Sequence, residues 1–323
     1  MNLEWPIFRD VLEARKLVSR YLPRTPLHTY PQLDQLVGAK VYVKHENHLP
    51  TGAFKVRGGI NLVSHLTAEQ RERGVFTAST GNHAQSIAYA CALSGVGATI
   101  VMPQGANPVK VKAVRGFGAE IVFYGEIFDE SRLYAHQLAE ERGGRFIHPA
   151  NEPHLIAGVA TYALEIFEEI PDLDMIFVPV GGGSGAAGCC LVRDAVSPST
   201  QVIAVQAEKA QAAYQSWKTG EIRTAPVETV AEGLATQVGY ELTQEILRQG
   251  LSDFVLVSEE EMVQAILIYL ELVRNLAEEA GASPLAACLK IRERVRGKKI
   301  ALVLSGGNIS LDRLRTVLAQ RPL

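Results

Sequence analysis

Nine short apolar runs recur along this chain, with helix-like segments between them. They are 41–43, 74–78, 98–103, 119–124, 145–147, 175–180, 201–205, 254–257 and 300–304. Most are near-continuous in Val, Ile, Leu and Phe and do not alternate with polar residues. A strand with one wet face alternates, whereas a strand covered on both faces does not. The runs therefore predict parallel strands joined by helices, among them 84–93, 126–141 and 311–319. That is an open α/β fold, which presents ligands at the carboxyl ends of its strands. The 323 residues suffice for two domains or one large α/β unit, and no repeat or low-complexity linker marks a boundary.

The formal net charge of −3 argues against nucleic acid or an anionic membrane as the main partner. The one basic cluster, 292–299, contains Glu293 and reads as a solvated helix face. The longest apolar stretches are interrupted before they reach membrane-spanning length. Residues 1–6 lack the basic and apolar regions of a signal peptide. Cys91, Cys189, Cys190 and Cys288 lie in apolar runs without metal-binding spacing. Buried free thiols in a reducing cytoplasm are the simple expectation.

Four segments carry chemistry. Lys55 lies in Pro-Thr-Gly-Ala-Phe-Lys-Val-Arg-Gly-Gly, residues 50–59. A lysine that bonds an aldehyde must be partly deprotonated, and apolar Ala53 and Phe54 with cationic Arg57 favour that. Gly52, Gly58 and Gly59 are expected to let the backbone approach a flat ring. An isolated lysine is ordinarily a solvated surface charge. The second segment, Gly181-Gly182-Gly183-Ser184-Gly185-Ala186-Ala187-Gly188, follows a strand and opens a helix, so its N–H groups suit a phosphate. It also contains G-x-G-x-x-G, with Glu208 about twenty residues on, where a ribose-binding acid belongs. A nicotinamide-dependent oxidoreductase is therefore a remote alternative, although it leaves Lys55 and Asn82 without a role. Ser79-Thr80-Gly81-Asn82-His83 is a polar turn at a helix start, suited to a carboxylate or simply to capping. His83 also reads as an ordinary helix histidine. Ser305, in Ser-Gly-Gly-Asn at a strand end, is a cofactor contact or a plain turn.

In this order and wording the segments resemble the threonine dehydratase and serine racemase group of fold-type II (tryptophan synthase β-like) pyridoxal phosphate enzymes, over nearly the whole chain. Residues 50–59 resemble the family's Pro-Thr-Gly-Ser-Phe-Lys-x-Arg-Gly, with Ala53 in place of the serine. The resemblance implies two open, mostly parallel twisted sheets with flanking helices. It implies a large domain of 1–69 and 148–323, and a small one of 70–147. It makes Lys55 the Schiff-base lysine for pyridoxal 5'-phosphate and Phe54 a cofactor contact. Gly181, Gly182, Gly183, Ser184 and Gly185 hold the phosphate, with Ser184 replacing a usual glycine. Asn82 meets the cofactor's 3-hydroxyl, and Ser305 faces its pyridine nitrogen. Gly233 and Glu278 match further cofactor landmarks, with Glu279 where the family has proline.

Ser79, Thr80, Gly81 and His83 are implied to receive the carboxylate of a small amino-acid substrate. The implied activity is ammonia-lyase action on L-threonine or L-serine, giving a 2-oxo acid and ammonia. Serine racemase and 3-hydroxyaspartate ammonia-lyase are the alternatives. Thr80 stands where dehydratases commonly have alanine and serine racemases a proton-donating serine, so its hydroxyl either supports racemase side activity or only hydrogen-bonds the substrate carboxylate. Some relatives bind a divalent cation through an acid, a carbonyl and a second acid. Glu208 and Ala212 fit, but Tyr214 replaces the second acid, so no strong metal site is expected. A homodimer or homotetramer is expected, without the C-terminal extension through which isoleucine regulates biosynthetic relatives.

Overall fold

The computed structural model describes residues 4–106, 108–126 and 128–320. Residues 1–3, read above for a leader, and Ile127, inside the expected helix 126–141, lie outside the described residues. Ten strands follow in chain order: β1 (Leu27–Thr29), β2 (Lys40–His45), β3 (Val75–Ala78), β4 (Ala98–Met102), β5 (Glu120–Phe123), β6 (Arg145–Phe146), β7 (Met175–Pro179), β8 (Gln201–Ala207), β9 (Asp253–Val257) and β10 (Lys299–Leu304). The chain forms two compact units.

The unit comprising Pro23–Phe54 and Ala160–Leu323 holds a six-stranded sheet in the order β1-β2-β10-β7-β8-β9. Only β1 runs antiparallel to its neighbour. Every residue of β7 is buried, as is all of β8 and β10 beyond the first residue. Burial on both faces is what wrote the continuous apolar runs into the sequence. One face packs Val41, Val43, Phe177, Ile203 and Leu302 against helical residues such as Leu285 and Ile266. β7 and β10 are parallel neighbours, so the Gly181 loop and Ser305, which follow them, leave the sheet at the same carboxyl end. β1 has no counterpart among the predicted strands; three partly exposed residues carry no readable period.

The other unit, Met1–Leu22 and Lys55–Val159, holds the parallel sheet β5-β4-β3-β6. Phe76, Ala78, Val101, Ala135, Leu138 and Ala139 form a core on it. These strands lie within 70–147, but the compact unit is wider than that expected small domain. It also takes in the helices Phe8–Val18 and Lys55–Ser64 and the first part of Pro153–Glu169. Helix Lys55–Ser64 joins it because Gly58 and Gly59 bring the backbone against its neighbours. A Cβ on Gly59 would lie 2.7 Å from the Ser86 carbonyl oxygen, and one on Gly58 2.8 Å from that of Leu155. These two glycines therefore serve helix packing, which corrects the expectation that they make room for a ring. Gly52, the third, has φ +67° and packs against Asn308.

Among the described residues, no helix is long and apolar enough to cross a membrane. All four cysteines are free and buried.

Candidate active site

In the six-stranded unit, β7 runs into the glycine loop and then into helix Ser184–Val196. Gly183 caps that helix with φ 90°, ψ −5°, a left-handed conformation that a side chain disfavours. Side-chain hydroxyls tie the loop's carbonyls back. Thr236 Oγ1 donates to Gly181 O at 3.2 Å, and Thr243 Oγ1 donates to Gly182 O at 2.8 Å. Tyr162 OH donates to Gly185 O at 3.0 Å. The N–H groups of a helix's first turn have no carbonyl partner within the helix, and its dipole favours an anion there. Ser184, fully buried in that turn, is placed to add a hydroxyl.

The same unit brings the other landmarks to this loop. A Cβ on Gly185 would lie 3.1 Å from the Phe54 ring, and one on Gly181 would strike the Gly233 carbonyl. Gly233 in turn abuts Ala280, two residues past Glu278. The Glu278 N–H donates to Gly306 O at 3.1 Å. Residues 51–54 are zipped to 305–308. Phe54 N–H donates to Ser305 O at 3.0 Å, Gly307 N–H to Gly52 O at 2.9 Å and Asn308 Nδ2 to Thr51 O at 2.8 Å. Ser305 itself is buried. Phe54, Gly181–Gly185, Gly233, Glu278 and Ser305 thus form one connected cluster.

Lys55 is the next residue after Phe54, the first of helix Lys55–Ser64 in the four-stranded unit. Its carbonyl accepts from Ser86 Oγ at 2.6 Å, which fixes the start of the helix on its neighbour Asn82–Ser94. Burial pushes the Lys55 amine down to about 8. The polar turn follows β3. Ser79, Thr80, Gly81 and Asn82 are half-buried, and Asn82 is the first residue of its helix, after the cap Gly81. The Gly81 N–H donates to Ser79 Oγ at 3.1 Å.

The His83 side chain turns inward. Thr77 Oγ1 gives its proton to Ile147 O at 2.8 Å, so it accepts one from His83 Nε2–H at 3.1 Å. The ring proton is thereby assigned to Nε2, and Nδ1 is buried without a partner. Burial first, then the Lys55 charge and His148, lower this imidazole to about 3, so it is neutral. His148, which follows β6 beside β3, is also held neutral, at about 4, by burial and the Arg132 charge. Its Nδ1 accepts from the N–H groups of Ala150 (3.1 Å) and Asn151 (2.9 Å). Sequence reasoning missed His148, Tyr162, Thr236 and Thr243. The one available signal was the position of His148 just past a strand's carboxyl end.

Comparison with known proteins defines the class. The family model described as pyridoxal-phosphate dependent enzyme matches residues 18–306, and the chain belongs to that family. It is 40% identical over 310 residues to an L-threonine ammonia-lyase of Thermotoga maritima, covering 96% of this chain and 77% of that one. It is 38% identical to the L-threo-3-hydroxyaspartate ammonia-lyase of Saccharomyces cerevisiae, covering 97% of each. The solved structure of maize serine racemase superposes with TM-score 0.92 at 32% identity, covering 98% of both chains.

The residues present fit pyridoxal phosphate. Main-chain N–H groups, aimed by tied carbonyls, suit its phosphate, and an amine lowered to about 8 suits its aldehyde. The family match over residues 18–306 is to pyridoxal-phosphate dependent enzymes, which sets the nicotinamide reading aside; Glu208 is ion-paired with Lys290 at 2.9 Å.

Proposed function

We propose that this protein is an ammonia-lyase for small β-hydroxy L-amino acids, L-threonine or L-serine, releasing a 2-oxo acid and ammonia. The observation that carries the reading is the zipping of 51–54 to 305–308, which joins a buried neutral serine to the strand of chain entering Lys55. Bound pyridoxal phosphate supplies the electron sink for charge developing at the substrate's α-carbon. A hydroxyl at Ser305 leaves the ring nitrogen unprotonated, which favours elimination over transamination. The glycine-loop N–H groups and Ser184 would hold the phosphate, Phe54, Gly233 and Glu278 would border the ring, and Asn82 would hydrogen-bond the 3-hydroxyl. The turn from Ser79 to the His83 N–H binds the substrate carboxylate. Lys55, as free base, takes the α-proton.

A second reading, racemisation of serine, is favoured by the half-buried Thr80 hydroxyl in that turn and by the likeness to maize serine racemase. The hydroxyaspartate reading rests on the yeast relative. The four buried free thiols suit a reducing cytoplasm. A homodimer or homotetramer is part of the same proposal.

The test is a panel of L-threonine, L-serine and L-threo-3-hydroxyaspartate, with 2-oxo acid detection and chiral analysis of the remaining serine. Turnover of threonine or serine is expected. Turnover of hydroxyaspartate alone would sink the reading, and D-serine that disappears in Thr80→Ala would establish the second one. Lys55→Ala should lower 2-oxo acid release by roughly 10³-fold or more and abolish the cofactor's bound absorbance.

A further inference from the structure

Past the end of β8, Lys290 Nζ lies 2.9 Å from Glu208 Oε1 and 3.0 Å from Glu261 Oε2. The three residues come from three elements. Glu208 follows β8, Glu261 sits in the first turn of helix Glu259–Ile268, and Lys290 closes helix Glu279–Lys290. Two of the charges suit their helix ends: Glu261 is an anion at an N-terminus and Lys290 a cation at a C-terminus. Glu261 Oε2 also accepts the Ser258 N–H at 2.7 Å, so the carboxylate is held in place before the ammonium reaches it.

This is the position matching the one where some relatives bind a divalent cation, and, as expected from Tyr214, the residues here do not fit one. The Glu208 carboxylate is occupied by the ammonium. The Ala212 carbonyl accepts from Ser216 Oγ at 2.7 Å. Tyr214 supplies no acid; its ring meets Phe254 edge-on at 5.5 Å, and its hydroxyl accepts from Lys218 Nζ at 3.1 Å. Among the described residues, no group of three or more His, Cys, Asp or Glu could hold a metal ion. A hard cation wants about six or more oxygen ligands.

We propose that Lys290 is a built-in cation that replaces the divalent ion, and that the protein is consequently indifferent to divalent metals and chelators. The tethered ammonium ties the end of β8 to the start of helix Glu259–Ile268 and anchors the C-terminal end of helix Glu279–Lys290. The opposite end of that helix, about 18 Å away along its axis, carries Glu278 against Gly306. A covalently attached charge cannot be stripped away, so the geometry at Glu278 is independent of ion supply.

The test uses the holoenzyme, with melting temperature and 2-oxo acid release measured in EDTA, in millimolar MgCl2 or CaCl2, and in KCl of matched ionic strength. The wild type should show no shift in melting and no change in rate among the four. Lys290→Ala leaves two carboxylates facing one vacated position. It should melt lower in EDTA and recover by about 1–3 °C in CaCl2 but not in KCl. A wild type that loses melting temperature or rate in EDTA and regains it with magnesium or calcium overturns the proposal. So does a Lys290→Ala protein that melts alike in all four solutions. If that variant does not fold, the wild-type comparison decides alone. Melting needs no turnover, so failure of the ammonia-lyase reading leaves this outcome legible.

Discussion

Burial lowers the Lys55 amine to about 8, so at pH 7 about one amine in ten is free base, against fewer than one in a thousand for an ordinary lysine. A base whose protonated form is disfavoured gains reactivity as pH rises to its pKa and levels off beyond. Capture of pyridoxal phosphate by the apoenzyme should accelerate up to about pH 8 and then flatten, as followed by stopped-flow absorbance. A rate still climbing at pH 10 would show an ordinary, solvated amine. At this scale the sequence speaks most where chemistry dictates residue type: the proposed site residues Lys55, Asn82, the glycine run and Ser305 all stand in motifs. Tyr162, Thr236 and Thr243 were not legible. Each acts by one hydroxyl on a distant carbonyl, and that pairing exists only after folding. The Glu278–Glu279 pair shows the same limit. Glu279, in place of a proline, is buried and ion-paired to Arg313, a partner 34 positions away.

At the level of the element, the loop between β7 and helix Ser184–Val196 depends on one torsion. Gly183 sits at φ 90°, and an added Cβ would lie 3.0 Å from Thr243 Cβ, on the side chain that anchors Gly182. Gly183→Ala combines about 1–2 kcal/mol of backbone strain with a displaced Thr243. Cofactor affinity measured by fluorescence titration should weaken roughly tenfold or more, while far-UV circular dichroism stays unchanged. An unaltered dissociation constant would remove the loop from the phosphate's grip. Strands were readable here because covering both faces forces continuous apolar runs. Helix packing was misread at Gly58 and Gly59, since a glycine's neighbour, whether ligand or helix, leaves no trace in the sequence itself. β1 escaped because three partly exposed residues cannot show a period.

For the molecule as a whole, the order β1-β2-β10-β7-β8-β9 puts the last strand of the chain in the middle of the larger sheet. Ile300 pairs with Val41 on one side and Met175 on the other. A chain cut before Lys299 loses both ladders and leaves β2 and β7 as apolar edges, which template aggregation. Such a truncation should be recovered in the insoluble fraction of a lysate, and a soluble product with native circular dichroism would contradict the topology. The same arrangement bears on biosynthesis. A ribosome adds residues at roughly 5–20 per second, so β2 waits on the order of 10–50 s for the partner that completes it. Until then the nascent protein carries an open seam down its centre, and this is the interval in which a chaperone has something to hold.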